Sequence, residues 1–209
     1  MMAHNEHSAL DRMESYGERD LTLFDRFGVY LSKRQILSKL PARSRLVVLD
    51  LGCGYHAAHL RALYPYLASG VGIDVRISDD CKRIPQLEFI EATIGSALPM
   101  LSEDEFDLVL LISVLEHLPD PLHVLRECHR VMRHEAVLMI NVPTWRGKTF
   151  LEFSAFRLGT SPPCEMDDHK MYYDVRDLWP ILIQAGFKPS RIRLRYHKFG
   201  LNLFGVLRK

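Results

Sequence analysis

"LVVLDLGCGYHAAHL", residues 46–60, runs from an apolar block through two glycines into a helix-forming stretch. Its first part, extended by one residue to "RLVVLDL" (45–51), is short and rich in β-branched residues, the texture of a strand buried on both faces. Gly52 and Gly54 follow directly. Glycine there lets the backbone turn sharply and come close to a ligand. A helix expected from near Tyr55 points its first amides at the same place. In an open α/β sheet, ligands collect beyond the carboxyl ends of the strands, so this turn is the first candidate for a cofactor crevice.

Working outward, residues 1–40 read as helical, with Leu21, Leu23, Phe24, Phe27, Tyr30 and Leu31 near helical spacing and Pro41 as the stop. "HAAHLRALYPYL" is helix-like as far as Pro65. "GVGIDV" (70–75), "LEFIEA" (87–92), "FDLVLLIS" (106–113) and "AVLMINV" (136–142) read as strands two to five. "PLHVLRECHRVM" (121–132) reads as an amphipathic helix with Leu122, Leu125, His129 and Met132 on one stripe. Strands alternating with helices predict a parallel sheet covered on both faces. Residues 144–173 break the pattern, and so long a stretch in a compact domain is functional or a lid. "DVRDLWPILIQAGF" (174–187) resumes as a helix closed by Gly186, with Pro180 predicting a kink or break. "SRIRLRYHKFGLNLFGVLRK" then reads as an antiparallel hairpin at the sheet edge, turning near Gly200. In it Ile192, Leu194 and Tyr196 share one face.

The chain has 209 residues, which suits one domain with a small appendage. The expected division is a helical cap over 1–41 and a main domain over 42–209, with an insertion at about 144–173. A formal charge of +1 lacks the basic excess of a large nucleic-acid footprint, so a nucleic-acid partner is not expected. The first residues lack the apolar core of a signal peptide, and "LVLLI" (108–112) is too short to span a bilayer. Cys53, Cys81, Cys128 and Cys164 are scattered without a CxxC, which fits reduced thiols and a cytoplasmic location.

Asp74 closes strand two, twenty residues after Gly54. A carboxylate there can accept two hydrogen bonds from a ribose diol. "GCGYHA" formally satisfies the dinucleotide pattern G-x-G-x-x-G/A. Asp50, two residues before Gly52, argues against a pyrophosphate, because a nearby carboxylate repels an anion and favours a cation. S-adenosylmethionine, a sulfonium that also carries an ammonium, matches that field better.

"VVLDLGCG", "VGIDV", "EFDLVLLISVLEHLPDPLHVLRECHRVM" and "INVP" together resemble the class I S-adenosylmethionine-dependent methyltransferases, specifically the small UbiE/type-11-like group. The resemblance is collinear over roughly residues 20 to 209. It implies an α/β fold: one Rossmann-like domain with a seven-stranded, mostly parallel sheet of order 3-2-1-4-5-7-6, strand seven antiparallel. It implies that Asp50, Gly52, Cys53 and Gly54 shape the methionine end of the site, that Asp74 holds the ribose and that Val75 touches the adenine. The family usually has an aspartate near the adenine amine. Here the segment reads "EATIGSALP", so Thr93 or Ile94 stands in. His56 replaces the family's third glycine. Ile112 and Ser113 are expected beside the sulfonium.

Methyl transfer is an in-line displacement, and a base helps when the acceptor is a hydroxyl. His117, after strand four, and His169, in "MDDHKMYY", are the candidate catalytic residues, weighed against packing and solvated-loop roles. His56 and His59 lack the further partners a metal needs, so no metal is expected. Aromatic and basic residues of the insertion (Trp145, Phe150, Phe153, Phe156, Arg146, Lys148, Arg157) suit an acceptor with an apolar or anionic part, or a peripheral membrane encounter. The tail from 187 to 209 holds seven Lys or Arg and no Asp or Glu. The expected activity is methylation of a small molecule or glycan, at oxygen, in polysaccharide, glycolipid or secondary-metabolite synthesis. The alternatives are an NAD(P)-dependent oxidoreductase and a non-catalytic binding subunit that keeps the fold. RNA methylation lacks both the basic excess and a proline-rich tetrapeptide after strand four.

Overall fold

The apolar runs become seven strands of one sheet: β1 (Leu46–Leu51), β2 (Leu67–Asp74), β3 (Leu87–Glu91), β4 (Phe106–Ile112), β5 (Met132–Pro143), β6 (Ile192–His197) and β7 (Asn202–Arg208). A computed structural model describes residues 15–18, 23–42, 45–153 and 171–209. The strand order is β3-β2-β1-β4-β5-β7-β6. β1 runs parallel to β2 and β4, β2 to β3, and β4 to β5. β7 is antiparallel to both β5 and β6. This is the Rossmann-like architecture and strand order that the resemblance implies.

Seven α-helices surround the sheet among the described residues: α1 (Leu23–Leu37), α2 (Ala58–Leu63), α3 (Asp79–Lys82), α4 (Ile94–Ala97), α5 (Pro121–Val131), α6 (Trp145–Phe153) and α7 (Val175–Gln184). Successive strand residues point to opposite faces, and this divides the core in two. Leu49, Leu51, Val109, Leu111, Leu138 and Ile140 pack against Leu125 of α5 and Leu178 and Leu182 of α7. Val48, Leu108, Leu110, Val137 and Met139 pack on the other face, against Ile36 of α1 and Leu60 and Leu63 of α2. All seven residues of β4 are buried. A Leu→Ala change in it would cost about 2–5 kcal/mol.

Several local expectations change. Of the helix expected over 1–40, α1 and a turn at Ser15–Glu18 are described; 1–14 and 19–22 lie outside the described residues. A 3-10 turn, Tyr64–Tyr66, accommodates Pro65 and starts β2 at Leu67, three residues earlier than expected. α5 starts at Pro121, where the Asp120 side chain accepts the His123 amide at 2.9 Å. Its buried stripe is Val124, Leu125, Cys128 and Val131, not Leu122, Leu125, His129 and Met132, because Met132 already belongs to β5. β5 therefore gains four residues at its start, with a register shift and Glu135 at φ 62. Pro180 neither ends nor divides α7. Its ring is exposed, Leu178 and Leu182 anchor the helix in the core, and an Asp174/Asp177 capping box secures its start. Gly186, at φ 106, follows the helix end as expected.

His59 on α2 packs among Lys33, Ile36, Leu37, Ala62 and Leu63. Its Nε2 is shielded from solvent and has no hydrogen-bond partner among the described residues. Burial, then Lys33 and Lys198, lower its pKa to about 4. Burial also lowers His129 and His197. A histidine depressed in the fold and ordinary when unfolded makes the unfolded chain bind more protons on acidification, so stability falls as pH drops from the ordinary value of 6.5 toward 4. His59→Leu should flatten that loss, measured as urea midpoints across the interval. An unchanged pH slope would contradict the buried, neutral assignment.

Candidate functional site

The site begins where β1 ends. Gly52 and Gly54 take φ of 69 and 76, the left-handed region that glycine enters without strain. Each also faces a neighbour. A Cβ on Gly52 would collide with Cγ2 of Val114, and one on Gly54 would sit 3.0 Å from the Tyr16 carbonyl oxygen. Gly52 thus makes room for the chain leaving β4, and Gly54 for the turn at Ser15–Glu18. The amides of Gly52 and Cys53 both donate to the Ile73 carbonyl, at 2.8 and 3.1 Å, binding the turn to β2.

Asp74 closes the arrangement. Its Oδ2 accepts the Gly54 amide at 2.8 Å and its Oδ1 accepts the Val75 amide at 2.8 Å. The backbone of Ala92 donates to the Asp74 carbonyl at 3.0 Å, which brings Thr93 and Ile94 next to the end of β2. Thr93 is exposed, and its hydroxyl lies 2.9 Å from that of Ser96.

The expected helix start near Tyr55 is not observed. α2 begins at Ala58, after Ala57 at φ 45. The Tyr55 amide instead donates to the Tyr16 carbonyl at 2.9 Å, and that of Ala57 to the Gly54 carbonyl at 3.1 Å. Glu18 of the same N-terminal turn pairs with Arg76, just beyond Val75. His56 is exposed, edge-on to Tyr55 with ring centroids 5.0 Å apart.

Asp50 is 1% exposed, not an open charge beside the turn. It shares the α1/α2 face with Val48, opposite Gly72 and Leu110. Neither carboxyl oxygen has a hydrogen-bond partner among the described residues. Burial, then repulsion from Asp74, raise its pKa well above the usual carboxylate range. Cys53 is likewise buried, its Sγ 3.6 Å from the Gly54 carbonyl, and burial followed by Asp50 and Asp74 push the thiol up.

At the end of β4 Ile112 is buried, whereas Ser113 is exposed at φ 57. Ser113 donates its amide to the Asn141 carbonyl at 2.8 Å, and Asn141 Nδ2 donates to the Ser113 hydroxyl at 3.1 Å. Asn141 is fully buried, and its Oδ1 has no hydrogen-bond partner among the described residues. Sequence reading missed it as a site residue, although a lone amide in an apolar strand was the signal. His117 lies half-buried in a 3-10 turn at Leu115–His117, beside the buried Glu116. Burial, then Glu116 and Asp177, raise the phenol of Tyr173 to about 12. His169 lies outside the described residues.

The groups therefore suit a small nucleoside ligand bearing positive charge. Asp74 is positioned by backbone amides, the glycine turn exposes no bulk, and two buried polar side chains, Asp50 and Asn141, retain unused hydrogen-bonding atoms at one sheet edge. Gly52→Ala should cost about 1–3 kcal/mol through strain and the Val114 collision. Gly95→Ala, where nothing lies within 4 Å, should be neutral or slightly stabilising. Urea unfolding of the two variants distinguishes a packed turn from a loose one.

A methyltransferase domain family model matches residues 24–190. A protein of Mycobacterium tuberculosis (strain ATCC 25618 / H37Rv), named as a probable S-adenosylmethionine-dependent methyltransferase, is 29% identical over 175 residues, covering 82% of this chain and 60% of its own length. The ubiquinone biosynthesis O-methyltransferase of Pseudomonas aeruginosa (strain LESB58) is 30% identical over 112 residues, 50% of this chain and 47% of that protein. The chain thus spans about half to three fifths of the curated relatives it matches. A solved S-adenosylmethionine-dependent methyltransferase of Archaeoglobus fulgidus superposes with a TM-score of 0.65 at 15% identity, over 90% of this chain and 100% of that one. With the family model spanning most of the sheet and the glycine turn, this chain belongs to the methyltransferase domain family.

Proposed function

We propose that the chain transfers a methyl group from S-adenosylmethionine to a small-molecule or glycan acceptor, at oxygen. The observation that carries the reading is the junction at Asp74, whose two oxygens accept the amides of Gly54 and Val75. Each oxygen keeps a lone pair beyond that amide, and a ribose diol is a natural ligand for such a carboxylate. When bound, S-adenosylmethionine supplies a methyl carbon activated by positive sulfur. The protein's main task is then alignment, a term of roughly 7–11 kcal/mol.

In this reading Asp74 holds the ribose, Val75 touches the adenine, and Thr93 or Ile94 stands near its amine. Asp50, Gly52, Cys53 and Gly54 form the methionine end, with Ile112 and Ser113 beside the sulfur. His117 and His169 are the candidate bases for an acceptor hydroxyl. Residues 1–41 act as a cap, 42–209 as the transfer domain, and 144–173 meet the acceptor. Buried free Cys53, Cys81 and Cys128 suit a reducing, cytoplasmic setting. No helix among the described residues is long and apolar enough to cross a membrane, so encounter with a lipid-linked acceptor would be peripheral.

Asp50 gives the reading a thermodynamic signature. Its raised pKa favours the neutral acid in the empty fold, and an arriving cation favours the carboxylate, so binding should release a proton. Titration calorimetry with S-adenosylmethionine in two buffers of different ionisation enthalpy should show that release, and Asp50→Asn should abolish it. Asp74→Ala should weaken binding by roughly tenfold or more; unchanged affinity would remove the ribose assignment. NADH binding in place of the methyl donor would instead support an oxidoreductase.

Transfer itself is tested with labelled donor against sugars, glycolipids and phenols. His117→Ala should lower turnover by about 10²–10⁴-fold while sparing cofactor affinity if it is the base. Cofactor binding without transfer to any acceptor would favour the binding-subunit reading.

A further inference from the structure

Away from the glycine turn, at the opposite rim of the sheet, a cavity of about 300 Å3 is lined by Ser190, Arg191, Arg193, Val206 and Arg208. Its place follows from strand register. Arg208 pairs with Val137 and Arg193 with Val206. Val137 is four residues before Asn141, about 13 Å along β5. Ile192 pairs with Leu207, so the preceding Arg191 and the following Arg208 meet across the two strands on the face shared by Arg193 and Val206.

Like charges opposed across strands are destabilising, yet the fold orders two of these arginines. Arg191 Nη1 reaches Glu135 at 2.6 Å and the Lys209 carbonyl at 3.4 Å. Glu135 makes that contact from the bulge of β5, at φ 62, a backbone state that costs a non-glycine residue about 1 kcal/mol or more. Arg193 Nη1 donates to the carbonyls of Ser190 and Ile192 at 3.0 and 2.9 Å. One nitrogen of each guanidinium is thus fixed, leaving further N–H groups for a ligand. Arg208 is exposed. A solvated, aggregation-resistant edge needs charge but no such ordering. Three arginines around one cavity, with one carboxylate against Arg191, match the charge and forked donors that recognise phosphate.

We propose that this cavity binds a soluble phosphate-bearing ligand, a phosphomonoester or diphosphate, independently of the methyl-transfer site. The probe is inorganic pyrophosphate, titrated calorimetrically into the full chain with ionic strength held constant by potassium chloride. Saturable binding is expected, weakened by roughly tenfold or more in Arg193→Ala and in Arg208→Ala. Arg195→Ala, outside the cavity, should leave it unchanged, and all three variants should keep wild-type affinity for S-adenosylhomocysteine. Absence of saturable binding at physiological ionic strength would overturn the proposal. So would equal weakening by Arg195→Ala, which would mean diffuse attraction, or adsorption to phosphatidic acid vesicles without any binding of soluble pyrophosphate.

Discussion

The carboxylate of Asp74 is the constraint on which the upper edge of this molecule depends. It ends β2, accepts the amide of Gly54 from the β1 turn and accepts the amide that starts the next segment. Charge-assisted bonds to backbone donors are stronger than neutral ones and directional. One side chain therefore fixes the distance between two strand ends. Val114 presses the turn from β4, and the Ala92 amide brings in the segment after β3. The left-handed glycines are the conformational consequence, since the chain must reverse while leaving room for Val114 and for the Tyr16 carbonyl.

Asp50 shows how the same edge stores electrostatic potential. A buried carboxyl without a hydrogen-bond partner tends to stay protonated, and Asp74 nearby reinforces this. Such a group is poorly suited to stabilising an empty fold. It becomes favourable when a positive charge enters and the carboxylate form is stabilised. Asn141, buried with an unused oxygen, adds a neutral dipole at the same edge. Cofactor preference would then come from groups kept dry by the sheet rather than from a charged surface.

The sheet also separates this edge from the arginine-lined cavity. β5, which carries Asn141 near its carboxyl end, carries Glu135 near its start, where Glu135 pairs with Arg191. Arg191, Arg193 and Arg208 gather toward that end, because an antiparallel last strand returns the chain to the starting rim. Antiparallel β7 is thus more than a topological mark of the family. It brings Arg208, late in the chain, back beside Arg191 and Glu135.

The sequence by itself determined the alternation of buried strands and helices, the glycine turn, the carboxylate twenty residues on and the terminal hairpin. Each is a local pattern of apolarity, glycine and turn chemistry that needs no distant partner to be legible. Tertiary structure alone decided that Asp50 is buried rather than open, that Tyr16 takes the amide expected to start a helix, that Pro180 is tolerated inside α7 and that Met132 opens β5. It also decided which arginines converge. These outcomes join residues far apart in the chain, and their energies come from burial and cross-strand register, which exist only once the sheet has formed.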